Sequence, residues 1–278
     1  MKAVLVLGGG GAKAIAHVGA WEALRERSLE VVHIVGTSMG AVIGAALAAG
    51  SSAEQLMHLA ESLQRKDVAA VDLFALVKGM FATSILKVGA LRRTIARFVP
   101  QQAFAELPIA LTVTATDFAS GELVLFGAAG QDAPLQEVLC ASCALPLYFP
   151  AVTIAGRSFV DGGIRAVLPL SVAAALSADI VVAVDVGPGF DEAVPSASVS
   201  AGLNPPLIRA HGEAIRIMMA AQTEQAIKAW PQTAAPLVVV RAVAEREATF
   251  ALGQAERYFR AGHDAAQQAL TSVSSRLY

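Results

Sequence analysis

Two glycine-rich turns, each set between an apolar run and a helical pattern, constrain this chain more than any other feature. Residues 2–7 form an apolar run of strand length that ends at Gly8-Gly9-Gly10-Gly11. Residues 14–27 follow, with Val18, Trp21 and Leu24 three apart on one helical face. Residues 31–35 are a second, β-branched run, which ends at Gly36-Thr37-Ser38-Met39-Gly40 before a helix-like stretch over 39–49. Strand, helix and strand in this order predict a βαβ unit with parallel strands, so both glycine turns open at the same edge of a sheet.

The alternation continues along the chain. A helix is expected over 53–64, and strands over 108–116 and 121–126 are joined by a turn at Ala119-Ser120-Gly121. Further strands are expected over 152–155, 158–160, 180–186 and 237–240. A last helix is marked by Leu252, Ala255, Phe259, Ala266 and Leu270 at helical spacing. Residues 187–206 hold Pro188, Pro195, Pro205 and Pro206 among Gly and Ser and read as an exposed, mobile loop. Residues 68–99 place Phe74, Leu76, Val77, Met80, Phe81 and Ile85 among few charges, which suits either a packed helical insertion or an apolar cap over a lipid site. No composition shift divides the chain, so a single domain over residues 1–278 is expected.

Composition excludes several classes. With 278 residues, 55% hydrophobic and only 16% charged, the chain can bury a large core and is not a disordered protein. A formal net charge of −2 and a pI near 6.2 lack the basic footprint of a nucleic-acid binder. Two cysteines are too few to staple a chain of this size and fit a reducing compartment. Gly8 stops the first apolar run short of the ~7 to 15 residues of a signal core, so no targeting segment is expected. Residues 31–53 lack Asp, Glu, Lys and Arg over a length that could span a bilayer at ~20 residues. Glycines, serines and a strand-then-helix pattern within them favour a buried strand and helix instead.

Three short motifs carry chemistry. Gly36-Thr37-Ser38-Met39-Gly40 is a G-x-S-x-G at a strand-to-helix turn, where Gly36 and Gly40 make room for an elbow that projects the serine oxygen. The following helix turns its positive end toward that oxygen. The four-glycine turn ending in Lys13 suits an anion. It misses a phosphate-binding P-loop, because Lys13 is flanked by Ala12 and Ala14. It matches a dinucleotide fingerprint only loosely, at Gly9, Gly11 and Ala14, without an acidic residue at the end of the second strand. An oxyanion formed beside Ser38 explains both glycine motifs with one reaction. For a base, His58, His211 and His263 fall on helical stretches, His17 on the first helix and His33 inside a strand. Asp161-Gly162-Gly163 directly follows the run 158–160 and is the better partner, provided burial raises the weak basicity of its carboxylate. Asp117 and Asp185 also end strand runs but lack the glycines.

Taken in order and at these intervals, Gly8 to Lys13, Gly36 to Gly40 and Asp161 to Gly163 resemble the patatin-like phospholipases. Thr114-Ala115-Thr116-Asp117 with Ser120-Gly121-Glu122, and Ala141-Ser142-Cys143-Ala144-Leu145-Pro146 with Phe149-Pro150, agree. The likeness runs to about Val186 and weakens beyond it. The resemblance implies a three-layer α/β/α fold with a central, mostly parallel sheet and a nucleophile elbow. It implies a Ser-Asp dyad, with Ser38 forming an acyl-enzyme, Asp161 as base, and Gly10 and Gly11 lending oxyanion N–H groups. Lys13 matches the family's Arg or Lys and is a candidate for a substrate phosphate, or else a solvated lysine at a helix start. Ala14 departs from the usual Gly, as in the similar cytosolic phospholipase A2 enzymes.

The expected function is therefore a serine lipid acyl hydrolase, of phospholipase A, lysophospholipase or esterase type. A thioesterase or acyltransferase would use the same nucleophile, and a non-catalytic module binding phospholipid or nucleotide would use the glycine turn alone. Cys140 and Cys143 have C-x-x-C spacing but do not open a helix after a first strand as a redox pair would, and the resemblance implies that they belong to a small-residue loop before Pro146 that helps line the site. No cluster has metal-ligand spacing, so no metal and no cofactor are expected. The expected partner is a lipid or acyl-ester substrate, with peripheral contact at the inner membrane surface from a cytoplasmic location and no nucleic acid.

Overall fold

The computed structural model describes residues 1–68, 84–190, 206–243 and 252–274. Its strands are β1 (Lys2–Leu7), β2 (Glu30–Thr37), β3 (Ala110–Asp117), β4 (Leu123–Gly127), β5 (Val152–Ile154), β6 (Arg157–Asp161), β7 (Ile180–Asp185) and β8 (Leu237–Arg241). They form one sheet in the order β5-β6-β3-β2-β1-β7-β8, with β4 paired to β3 off that path. The run from β3 to β8 is parallel, and it is built from apolar segments because each strand there is covered on both faces. β3 meets β4 and β6 antiparallel, and β5 meets β6 antiparallel.

The helices are α1 (Ala16–Glu26), α2 (Met39–Ala48), α3 (Ala53–Ser62), α4 (Arg65–Val68), α5 (Val88–Phe98), α6 (Leu135–Ser142), α7 (Leu170–Ala174), α8 (Pro206–Lys228) and α9 (Ala255–Ser274). The period-two alternation of β1 assigns them to layers. Ala3, Leu5 and Leu7 face a large core with Val18 and Leu24 of α1, Ile43 and Leu47 of α2, Ile95 of α5, Leu139 of α6 and Ala266 of α9. Val4 and Val6 face a smaller core with Leu170 and Val172 of α7 and, packed against it, Ala226 and Ile227 of α8. The result is the expected three-layer α/β/α arrangement around a mostly parallel sheet.

Residues 31–53 form most of β2, then α2 and the start of α3, within or against the core. Among the described residues, no helix is long and apolar enough to cross a membrane. Of the stretch 68–99, residues 69–83 lie outside the described residues. Residues 88–98 form α5, whose Leu91, Ile95 and Phe98 are buried as in a packed helix. Of the stretch read as a mobile loop, 191–205 lie outside the described residues and Pro206 begins α8. Leu252 precedes α9 rather than belonging to it.

The two ends of the described chain meet where α1 crosses α9. A Cβ on Gly19 would overlap the Phe259 carbonyl, and one on Gly262 would overlap that of Ala16. The helices approach this closely only because both positions are glycine. Alanine ordinarily favours a helix interior by about 1 kcal/mol over glycine. Here Gly262→Ala is expected to destabilise by about 1–3 kcal/mol through overpacking, read as a lower urea midpoint.

Candidate active site

Both glycine turns leave the C-terminal ends of adjacent parallel strands, with Leu7 opposite Gly36. Ser38 sits between β2 and α2 at φ 55°, ψ −132°. A serine stays in that left-handed region only when its surroundings over-determine it. A Cβ on Gly36 would lie 2.5 Å from Ala41 Cα, and one on Gly40 would lie 2.5 Å from the Gly8 carbonyl oxygen and closer still to that of Leu7. The elbow therefore needs both glycines for space. The Ser38 carbonyl accepts the N–H groups of Ala41 and Val42, opening α2 beneath the serine. The Ser38 N–H donates to Ser142 Oγ at 2.8 Å.

The four-glycine turn packs against the elbow. Gly8 N–H donates to the Val184 carbonyl and Gly9 N–H to that of Val167, while a Cβ on Gly9 would come 3.3 Å from Ser38 Cβ. Gly10 has no room for a side chain, since a Cβ there would lie 2.5 Å from the Val186 carbonyl oxygen, and Gly11 takes φ 59°. Gly8 and Gly9 are thus committed to backbone acceptors, and Gly10 and Gly11 follow them in the turn. His17 of α1 braces the turn by donating Nε2–H to the Gly8 carbonyl at 2.8 Å. A carbonyl can only accept, so the proton lies on Nε2, and burial lowers the ring pKa to about 4 and keeps it neutral.

Asp161 ends β6, opposite Ala115 of β3, and is only 4% exposed. Its Oδ2 accepts the Ser38 hydroxyl at 2.8 Å and its Oδ1 accepts Gly163 N–H at 2.7 Å. Burial pushes its pKa up to about 6, against the downward pull of those two hydrogen bonds. The other strand-end carboxylates are engaged elsewhere. Asp117 pairs with Arg157 at 2.8 Å and caps its own turn, and Asp185 pairs with Arg241 at 2.7 Å. The histidines are elsewhere too. His33 bonds Thr112, His263 bonds Glu26, and His58 and His211 lie on exposed faces.

Lys13 is 5% exposed, so it is not a solvated lysine. Its Nζ donates to the Gly187 carbonyl at 3.4 Å and lies close enough to Asp185 to act on its charge. Asp185 also accepts Gly187 N–H, and Arg241 donates to the Gly187 carbonyl. Lys13 and Arg241 thereby converge on the turn that follows β7. Under the elbow, Thr37 Oγ1 bonds Thr114 Oγ1 at 2.7 Å and donates to the Ala166 carbonyl, stitching β2 to β3 and to the loop after Asp161. Among the described residues, no group of three or more His, Cys, Asp or Glu is placed to hold a metal ion.

One expectation is corrected. Cys140 to Ser142 are the last residues of α6, not part of a loop, because Leu135, Val138 and Leu139 anchor a helix on the core; the loop begins at Cys143. Both thiols are free and buried, and burial drives Cys140 up to about 12 and Cys143 well above the ordinary thiol range. Cys143 nonetheless lies at the site, within hydrogen-bonding reach of Ser38. The native protein is expected to react with no Ellman's reagent within the time in which both thiols of the denatured chain react completely.

Together the fold and the site define an α/β protein with an elbow serine hydrogen-bonded to a buried strand-end aspartate. Residues 5–174 match the family model of the patatin-like phospholipases, and the chain belongs to that family. An uncharacterized NTE family protein of Mycobacterium tuberculosis is 36% identical over 195 residues, covering 68% of this chain and 52% of that protein. Human patatin-like phospholipase domain-containing protein 6 is 31% identical over 189 residues, covering 66% of this chain and 13% of that protein. The chain thus spans about half the length of the mycobacterial relative. Among solved structures, VipD from Legionella pneumophila aligns over 98% of this chain and 67% of its own, with a TM-score of 0.47 and 15% identity.

Proposed function

We propose that this chain is a serine-dependent lipid acyl hydrolase in which Ser38 and Asp161 act as a dyad. The observation that carries the reading is the 2.8 Å hydrogen bond from the Ser38 hydroxyl to a buried carboxylate that no arginine or lysine neutralises through a hydrogen bond among the described residues. Membership of the patatin-like phospholipases supports a lipid ester as the substrate.

In the proposed reaction Ser38 Oγ attacks the ester carbonyl carbon while its proton passes to Asp161. The oxyanion is held by the Gly10 and Gly11 N–H groups and the N-terminal end of α2. As the intermediate collapses, the carbon–oxygen bond to the alcohol breaks and Asp161 returns the proton to the departing oxygen, leaving acyl-Ser38. Water then attacks the acyl carbon, giving its proton to Asp161, which restores it to Ser38 as the fatty acid leaves. A carboxylate raised to about 6 is a stronger base than an exposed one while still ionised at neutral pH. Lys13 is assigned to the turn at Gly187 rather than to a lipid phosphate, because its ammonium is buried there.

A lipid-like fluorophosphonate is expected to add stoichiometrically to Ser38, seen by intact mass and peptide mapping, and to leave Ser38→Ala unmodified. An unmodified wild type, folded and supplied with vesicles, would overturn the reading. Asp161→Asn is expected to lower kcat by ~10²–10⁴. Activity should depend on pH through the same group: kcat/KM falls as pH drops through about 6, where Asp161 gains its proton. The stability sign is opposite. A carboxyl raised from 3.8 to about 6 on folding favours the folded state fully below 3.8, and that contribution is lost as pH rises through about 6. Asp161→Asn should therefore keep or raise Tm at pH 8 while activity collapses, which separates chemistry from unfolding.

A further inference from the structure

Three consecutive residues hold the main chain of both halves of the dyad. Ser142, the last residue of α6, is wholly buried, and its Oγ accepts the Ser38 N–H at 2.8 Å across 104 residues of sequence. Two residues on, the Ala144 carbonyl accepts the Asp161 N–H at 3.0 Å. The segment between them is not free to stretch, because Cys143 N–H bonds the Leu139 carbonyl and Ala144 N–H bonds that of Ala141, tying the bracket to the end of the helix. The distance between the peptide bearing Ser38 and the peptide bearing Asp161 is thus referred to one rigid helix terminus.

We propose that Ser142 is a positioning residue that sets the Ser38 hydroxyl against the Asp161 carboxylate. The proposal rests on the reading of Ser38 as nucleophile. Ser38 sits at positive φ, and its peptide keeps that setting through constraints on both sides. On the α2 side, its carbonyl accepts two helix-opening N–H groups. On the β2 side, the Ser142 hydroxyl takes its N–H. Without that oxygen the part-buried N–H loses its acceptor, and the peptide turns to find another, carrying Oγ out of line with Asp161 Oδ2. The same hydrogen bond commits the Ser38 N–H in the resting site, so that N–H is not among the oxyanion donors proposed above. The effect is on geometry rather than on substrate contact, so it acts on the chemical step.

The test compares wild type, Ser142→Ala and Ser142→Thr, using a short-chain p-nitrophenyl ester for steady-state kinetics and a fluorophosphonate for the rate of Ser38 modification, with Tm measured on each. Ser142→Ala is expected to lower kcat and the modification rate by ~10- to 100-fold, the scale of a misplaced reacting group, with KM unchanged. Ser142→Thr, which returns the oxygen, is expected to recover at least tenfold of that loss. Unchanged kcat in Ser142→Ala overturns the proposal, as does a loss confined to KM. So does a loss that tracks Tm and that threonine does not restore in a variant that folds; should threonine fail to fold, the split between kcat and KM in Ser142→Ala decides. A wild type that is not modified at Ser38 overturns the reading of the nucleophile itself, which the Ser142 comparison cannot do.

Discussion

A carboxylate withdrawn from water is stable only if its neighbours replace the lost solvation, and the way Asp161 meets that condition shapes everything around it. Asp117 and Asp185 solve the same problem with arginines, Arg157 and Arg241. Asp161 is given two neutral donors instead, the Ser38 hydroxyl and Gly163 N–H, and burial outweighs their downward pull and raises its pKa. The surroundings follow suit. Burial keeps the His17 ring uncharged beneath the glycine turn and the Cys143 thiol protonated beside the dyad. Charge is moved one turn away, where Lys13 and Arg241 meet Asp185 and Gly187. Under the proposed mechanism, the proton that Asp161 takes from Ser38 meets no hydrogen-bonded cation at that carboxylate among the described residues.

The second constraint is steric. Parallel strands about 4.8 Å apart bring the turns after β1 and β2 into contact. The contact leaves little room for side chains: Gly40 faces the carbonyls of Leu7 and Gly8, and Gly9 faces the Ser38 side chain. What looks in the sequence like flexible glycine is a tightly filled space. The Gly8 and Gly9 N–H groups are held there by the Val184 and Val167 carbonyls, and the Gly8 carbonyl by His17.

Much of this could be read from residue order alone, for a physical reason. A buried parallel strand has to be apolar along its whole length, so 2–7 and 180–186 stood out, and glycines beside a strand end marked both turns. Asp161 could be preferred over Asp117 and Asp185 by its following glycines, although the arginines that occupy the other two are 40 and 56 residues away and left no local signal. The antiparallel pairing of β6 with β3, which delivers Asp161, depends on tertiary packing and not on either segment's pattern. The end of α6 is not legible in the sequence, because Cys140, Ala141 and Ser142 are small and suit a loop as well as a helix. Ser142 itself carried no mark of its bond to Ser38, since a buried serine at a helix end looks the same whether or not its oxygen is used.

The sequence distance between the two dyad residues has a consequence in time. Ser38 and Asp161 lie 123 positions apart, and the Ser142 bracket also falls late. At roughly 5–20 residues per second of synthesis, that interval lasts on the order of ten seconds. Throughout it, a growing chain carries its elbow and glycine turn without the carboxylate, and for the first 104 of those positions without Ser142 as well. A fragment released early is left in the same condition. Under the proposed dyad mechanism, the order in which the ribosome delivers the strands acts as a safety catch, released only when the antiparallel flank of the sheet is in place.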